Sequence, residues 1–131
     1  MHHGEMYDAV KTVELSEPVI SLERLEEDCD SEELKSLLDD LKVQSIRYAE
    51  TVAEFIKTDI GTEDRVEADA NRTRIHNATM DAINILARNL KKAGKDNSWI
   101  EKLPHRANKG LFALQIAFTV LRREVEKGIQ I

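Results

Sequence analysis

Cysteine and tryptophan each occur once in this chain, proline occurs twice, and aromatic residues make up 5% of it. A single cysteine closes no internal disulfide. Cys29 also sits in Glu26-Glu27-Asp28-Cys29-Asp30, where flanking carboxylates disfavour the thiolate, so a reactive nucleophile is not indicated and a reducing cytoplasm is the expected setting. No apolar run reaches the roughly 20 residues needed to span a bilayer, and no basic stretch followed by an apolar one marks a leader. Neither membrane insertion nor secretion is expected. Also missing are a glycine-rich phosphate loop, a Cys/His array and a nucleophile placed beside a base. The sequence therefore names no reaction, and no catalytic residue, metal ligand or cofactor is assigned. There is no internal repeat, and no alternating pattern convincing enough to build a sheet.

What remains is ordinary for a soluble domain: 131 residues, 41% hydrophobic and 34% charged, enough for one sizeable core. The charge is unevenly placed. Residues 1–69 carry 7 Lys/Arg against 20 Asp/Glu, a net of −13, and residues 70–131 carry 12 against 5, a net of +7, which together give −6. Such a split suggests that one half docks on the other, in the same chain or in a second copy, or that the basic half meets an anion.

Sparse punctuation leaves room for long helices. Asp30 as N-cap with Glu33 three residues on forms a capping-box pattern, and Leu34, Leu37, Leu38, Leu41, Tyr48, Val52, Phe55 and Ile56 follow one face, which predicts a helix from about 31 to 59. Gly61 ends it. Thr62 then caps a second helix, with Glu63 and Asp64 in its first turn and Arg88, Lys91 and Lys92 near its end, as the macrodipole favours. Its apolar face is read as Ile75, Ala78, Ala82, Ile85, Leu86 and Leu90, and Gly94 stops it. A linker over 95–103 holds a single turn starting at Asn97-Ser98-Trp99, and a third helix runs from Pro104 or His105 to about Lys127, where Gly128 ends it. The expected fold is all-α, an antiparallel bundle of three long helices over 31–131, preceded by an N-terminal arm over 1–30. Within the arm, Tyr7 to Leu15 suits a short helix or strand, Pro18 to Leu22 reads as extended, and a turn of helix is expected at 21–28.

The third helix has two apolar stripes: Leu111, Leu114, Phe118, Leu121 and Val125 on one side, and Phe112, Ile116 and Val120 on another. It therefore needs burial on both sides, by the arm or by a second chain. The adopted reading is a homodimer with Phe112, Ile116 and Val120 at its interface.

The first three turns of the second helix are almost wholly polar, with Val66 the one large apolar side chain. Projection at 3.6 residues per turn puts Asn71, Arg72 and Asn89 at the edges of the inward face, with Asp69 and His76 at its boundary. The functional reading is a pocket in which Arg72 and His76 meet an anionic ligand, with Glu67, Asp69 or Asn71 as further polar contacts. The plainer one is an ion-pair network of Asp69, Arg72 and His76 over the end of the bundle.

Spacing tests named chemistries. A carboxylate-bridged di-iron centre needs Glu-x-x-His on two helices, and neither His76 nor His105 has an acid three residues before it. Helical ribonucleases with an Arg-x4–6-His motif are missed too, because Arg72 precedes His76 by three intervening residues and Arg74 by one. Glu63-Asp64-Arg65-Val66-Glu67 resembles the Glu-Glu-x-x-Glu motif of the all-α MazG-type nucleotide pyrophosphohydrolases, with Asp for the second Glu. Asp81-Ala82-Ile83-Asn84 resembles their later Glu-x-x-Asp, with both acids altered. That resemblance implies magnesium held against a polyphosphate between two helices, although here all these residues share one helix and Asn84 brings no charge to a hard cation.

Finally, Arg88, Lys91, Lys92, Lys95, Lys102, Arg106 and Lys109 cluster around the second turn, with Trp99 among them as a possible stacking surface for nucleic acid. In an up-down-up bundle this turn lies beside the acidic run Glu23, Glu26, Glu27, Asp28, Asp30, Glu32 and Glu33. Neutralisation within the fold is the favoured reading and nucleic acid is disfavoured. The expected role is a small interaction or regulatory protein, with a protein partner or second copy. An anion- or nucleotide-binding helical enzyme is the alternative, and a nucleic-acid module through 88–109 comes third.

Overall fold

The computed structural model describes residues 21–103 and 106–129, apart from the side chains of residues 102, 106–108 and 129. The structure expected for Tyr7–Leu15 and Pro18–Ile20 lies outside them. Four α-helices follow in order: α1 (Leu22–Asp28), α2 (Glu32–Lys57), α3 (Glu63–Lys92) and α4 (Arg106–Ile129), with a 3-10 helix at Ser98–Lys102 before the last. No strand occurs among the described residues. The three long helices pack as a bundle in which α2 is the hub. It meets α3 extensively and α4 on another side, whereas α3 and α4 touch each other sparingly. The order is not the expected up-down-up one: Gly110 meets Tyr48 while Arg123 reaches the Glu26 that also binds Lys42, so α4 runs antiparallel to α2 and parallel to α3.

Local chemistry sets the boundaries. The N-cap of α2 is Ser31 rather than Asp30: Ser31 is extended (φ −110°, ψ 159°) and its side-chain oxygen accepts the Leu34 amide at 3.2 Å, satisfying one orphan donor of the first turn. The Asp30 carboxylate instead accepts a hydrogen bond from Lys95 Nζ at 2.7 Å. Thr62 caps α3 as expected, accepting the Arg65 amide. Gly94, at φ +76°, closes α3 with paired hydrogen bonds from the Lys95 amide to the Leu90 carbonyl and from its own amide to the Lys91 carbonyl, a Schellman motif that favours a residue without a Cβ. Gly128 has no such role. It stays helical and α4 continues through it to Ile129.

One core gathers α1, the first half of α2, the second half of α3, the 3-10 helix and α4. Leu25, Leu41, Ile83, Leu86 and Leu90 are its fully buried centre, with Leu22, Cys29, Leu34, Leu38, Met80, Trp99, Leu103, Phe112 and Ile116 around them. A smaller cluster of Tyr48, Ile75 and Ala113, with Val52 and Leu114, continues toward the other end. The inward face of α3 is rotated from the expected one, since Ile83 is wholly buried while Ile85 is 41% exposed.

The two stripes of α4 exchange roles. Phe112 and Ile116 are each 2% exposed within a single chain, and Val120 packs against the same core, so these residues are not free to form the expected interface. The other stripe turns outward only toward its end, where Leu121 and Val125 are exposed, while Leu114 joins the smaller cluster. Phe112 points inward because Trp99 meets it, with ring centroids 5.3 Å apart. Trp99 is itself buried, and the stacking surface considered for nucleic acid is thereby removed.

Ion pairs join the acidic and basic halves. Glu26 on α1 accepts hydrogen bonds from Lys42 of α2 at 3.0 Å and Arg123 of α4 at 3.1 Å, and Asp30 pairs with Lys95. Arg88, Lys91 and Lys92 of the expected basic cluster stay exposed. Partial burial works against the charge on Glu26, but the hydrogen bonds from Lys42 and Arg123 outweigh it and hold its pKa below the ordinary carboxylate value. The Lys95 hydrogen bond lowers the pKa of Asp30, and the same bond raises that of Lys95. Burial, followed by Asp28 and Asp30, raises the Cys29 thiol.

Because the Glu26 pKa is lower in the folded state, its stabilisation is complete above the unfolded value and is lost as pH falls through the folded value. Glu26→Gln should therefore reduce stability at neutral pH by about 0.5–1 kcal/mol, a partly exposed triad being worth no more. It should also flatten the acid limb of the stability curve. Urea titrations of both proteins between neutral pH and pH ~3 would measure this; parallel acid limbs would contradict it.

Candidate functional site

Halfway along the bundle, α2, α3 and α4 surround a cleft of about 540 Å³ lined by Tyr48, Arg72, Thr73, His76, Gly110, Leu111 and Leu114. Its position follows from the helix packing. The α2–α3 hairpin extends past the start of α4, so the second turn of α4 leans on α2 near Tyr48 while the polar first half of α3 stands alongside. Arg72 and His76, one turn apart, consequently face the same space.

His76 and Tyr48 are both buried and meet edge to face, with centroids 5.3 Å apart and planes at 63°. Arg72 is ion-paired with Asp69 on its own helix, and its guanidinium carbon lies 5.1 Å from the centre of the Phe55 ring. Arg65 also covers that ring, at 4.2 Å, and donates to the Thr58 carbonyl at 3.1 Å. Stacking and the Asp69 pair fix the Arg72 head at the rim, and its Nε is buried without a hydrogen-bond partner. Gly110 permits the close approach of α4, because a Cβ there would stand 3.2 Å from the Tyr48 hydroxyl.

The cleft has two chemical sides. Arg72, Thr73, His76 and Tyr48 offer a cation, hydroxyls and an imidazole, and none of the lining residues is a carboxylate. Gly110, Leu111 and Leu114 form an apolar wall. Of the five residues expected at a ligand site, Arg72 and His76 line the cleft and Asp69 holds Arg72 from behind. Glu67 and Asn71 are exposed and do not line it; Asn71 instead accepts a hydrogen bond from Arg74 at 2.6 Å. The residues sequence reasoning missed are Tyr48, Thr73, Gly110, Leu111 and Leu114. No local signal marks them, for they come together by tertiary packing; Gly128, in the same helix as Gly110, has nothing within 4 Å of a Cβ.

Residues carrying the pyrophosphohydrolase resemblance do not converge. Glu63, Asp64 and Glu67 are exposed in the first turns of α3, while Asp81 lies several turns on beside Asp40 and Arg47 in a separate groove. Among the described residues no group of three or more His, Cys, Asp or Glu side chains is placed to hold a metal. No helix of the described residues is long and apolar enough to cross a membrane. Comparison with protein-family models, curated proteins and solved structures finds no match to this chain in any of the three.

The Gly110–Tyr48 contact can be tested directly. Alanine gains about 0.8–1 kcal/mol over glycine inside a helix, but here the new Cβ presses on the Tyr48 hydroxyl. Gly110→Ala alone should be neutral or mildly destabilising. In a Tyr48→Phe background the next ring atoms are 3.7 Å away, an ordinary contact, and the same substitution should stabilise. A double-mutant cycle by chemical denaturation reads the coupling, and additive effects would show that the hydroxyl does not set the spacing.

Proposed function

We propose that this chain is a small interaction or regulatory protein of helical-bundle form, working as a homo-oligomer, whose small-molecule ligand is an anion with an apolar portion. The ligand reading is carried by the cleft that joins Arg72, Thr73, His76 and Tyr48 to an apolar wall of Leu111 and Leu114. Its volume falls among those of small-molecule sites, and a few donors facing apolar side chains are what orient such ligands. Asp69 occupies part of the Arg72 guanidinium, but a planar fork of five N–H donors serves an aspartate on one edge and a carboxylate or phosphate on another.

Binding rather than turnover is favoured because the acids implied by the enzyme resemblance are spread along α3 and away from the cleft. The nucleic-acid alternative loses its aromatic platform with the burial of Trp99. The homo-oligomer reading draws on apolar side chains left exposed on two surfaces: Leu121 and Val125 on α4, and Val43 and Ile85 across the α2–α3 seam.

Inorganic phosphate, citrate and adenosine monophosphate, each tested at millimolar concentration, sample the anion class. At least one should raise the melting temperature of the wild-type chain, since a ligand that binds only the folded state stabilises it by mass action. Arg72→Ala should abolish that rise and leave the helical circular dichroism intact. If all three anions leave the wild type unmoved, or Arg72→Ala responds as the wild type does, the cleft is not an anion site.

A further inference from the structure

On the side of the α2–α3 pair away from the cleft residues runs a second concavity, a groove of about 380 Å³ lined by Leu37, Asp40, Val43, Gln44 and Arg47 of α2 and by Ala78, Asp81, Ala82 and Ile85 of α3. Val43 and Ile85 are each exposed over nearly half their surface, while Leu37, Ala78 and Ala82 are half-buried. Small alanines opposite larger aliphatic side chains form a trough wide enough to accept ridges from another helix.

The charges along the groove are polarised. The Thr79 hydroxyl lies 3.3 Å from the Gln44 carbonyl, which sets these two residues side by side on the antiparallel helices. Asp40 and Asp81 therefore lie toward one end. Arg47 lies toward the other, as does Arg74, one turn before Ala78 on the same stripe of α3. On α2, Asp40 and Arg47 are seven residues apart, about 10.5 Å along the axis, with Val43 and Gln44 midway between them.

We infer that this groove binds a second copy of the same chain, packed antiparallel about a two-fold axis passing near Val43 and Gln44. Such an axis maps Arg47 of each chain onto Asp40 of the other, twice, and sets the apolar centres of the two grooves together. A two-fold along the helices would bring acid against acid and base against base instead. The pattern is self-complementary in one orientation only, which identifies a second copy rather than an unrelated partner. The resulting core is a four-helix arrangement of two α2–α3 pairs. This surface rests on the homo-oligomer reading above and is independent of the ligand cleft.

Sedimentation of the full chain from nanomolar to high micromolar concentration, at low and at high salt, tests it. The wild type should dimerise, more tightly at low salt. Asp40→Arg and Arg47→Asp should each weaken the dimer at least about tenfold, because each creates two like-charge contacts across the axis. The double variant Asp40→Arg/Arg47→Asp should restore it. Both positions are exposed, so circular dichroism should report intact helices in every variant. A wild type that stays monomeric throughout overturns the homo-oligomer reading and the surface with it. A dimer indifferent to the charge reversals but broken by Leu121→Glu overturns the groove alone and moves the contact to the outer stripe of α4.

Discussion

The position of α2 between two helices that scarcely meet is the constraint from which the other features follow. A compact three-helix bundle shares one central seam among all its members. Here α2 has α3 on one side and α4 on another, and the space left between α3 and α4 is filled at one end by α1 and the 3-10 helix. Toward the other end nothing among the described residues plays that part. The large core of Leu25, Leu41, Ile83, Leu86 and Leu90 thins to the small cluster of Tyr48, Ile75 and Ala113, and the cleft opens there. On the opposite side of the same pair, no described helix covers Val43 and Ile85. The cleft and the groove are two outcomes of one packing choice.

Long helices and their order were legible in the sequence because those signals are local, but of the glycine stops only Gly94 acts as one. Thr62 caps α3 and Gly94 takes the positive φ that closes it, whereas α2 stops at Lys57 with Thr58 as its C-cap, before Gly61 is reached. The N-cap of α2 was not legible, because Asp30 and Ser31 are both competent caps and the choice falls to Lys95, far along the chain, which engages Asp30. The facing of the helices was harder still. Periodicity shows that α4 has two apolar stripes but not which one turns inward, and that is settled by Trp99 against Phe112 and by the approach of Gly110 to Tyr48. On α3 the inward face includes His76 and Thr79, both buried. An apolar count passes over them, so the predicted face falls too far toward Ile85. Thr79 is tolerated inside because its hydroxyl donates to the Ile75 carbonyl at 2.7 Å, leaving a methyl for packing.

The candidate site was legible in half. Arg72 and His76 were recognisable because a polar helix start followed by an apolar face places its boundary residues at a rim. Tyr48 and the α4 wall were not, since they arrive from distant segments by tertiary packing. Glu67 and Asn71 were assigned by proximity in sequence, and a difference of one or two residues on a helix turns a side chain by 100–200°. That rotation separates Arg72, which faces the cleft, from Asn71, which bonds to Arg74 outside it.

The charge asymmetry of the two halves acts through contacts and not through a long-range field. At physiological salt the screening length is about 8 Å, so a net −13 in the first half and +7 in the second matter where individual groups meet. Two such places tie the halves together: Glu26 draws in Arg123, and Asp30 draws in Lys95. Both involve residues of or just after α1, which explains how a helix of seven residues holds its place over the core with little more than Leu22 and Leu25 buried. The remaining cations on the outer face of α3 are left for solvent or for other molecules. In the cleft the same logic works at shorter range. Arg72 is neither buried as a neutral pair nor loose on the surface, for Asp69 neutralises part of its charge while the Phe55 ring supports its plane. A guanidinium held in this way costs little further entropy when an anion joins its free edge. A flexible ammonium at the same position could hold Asp69 and an anion with separate N–H groups, but without a planar fork and with more freedom to lose.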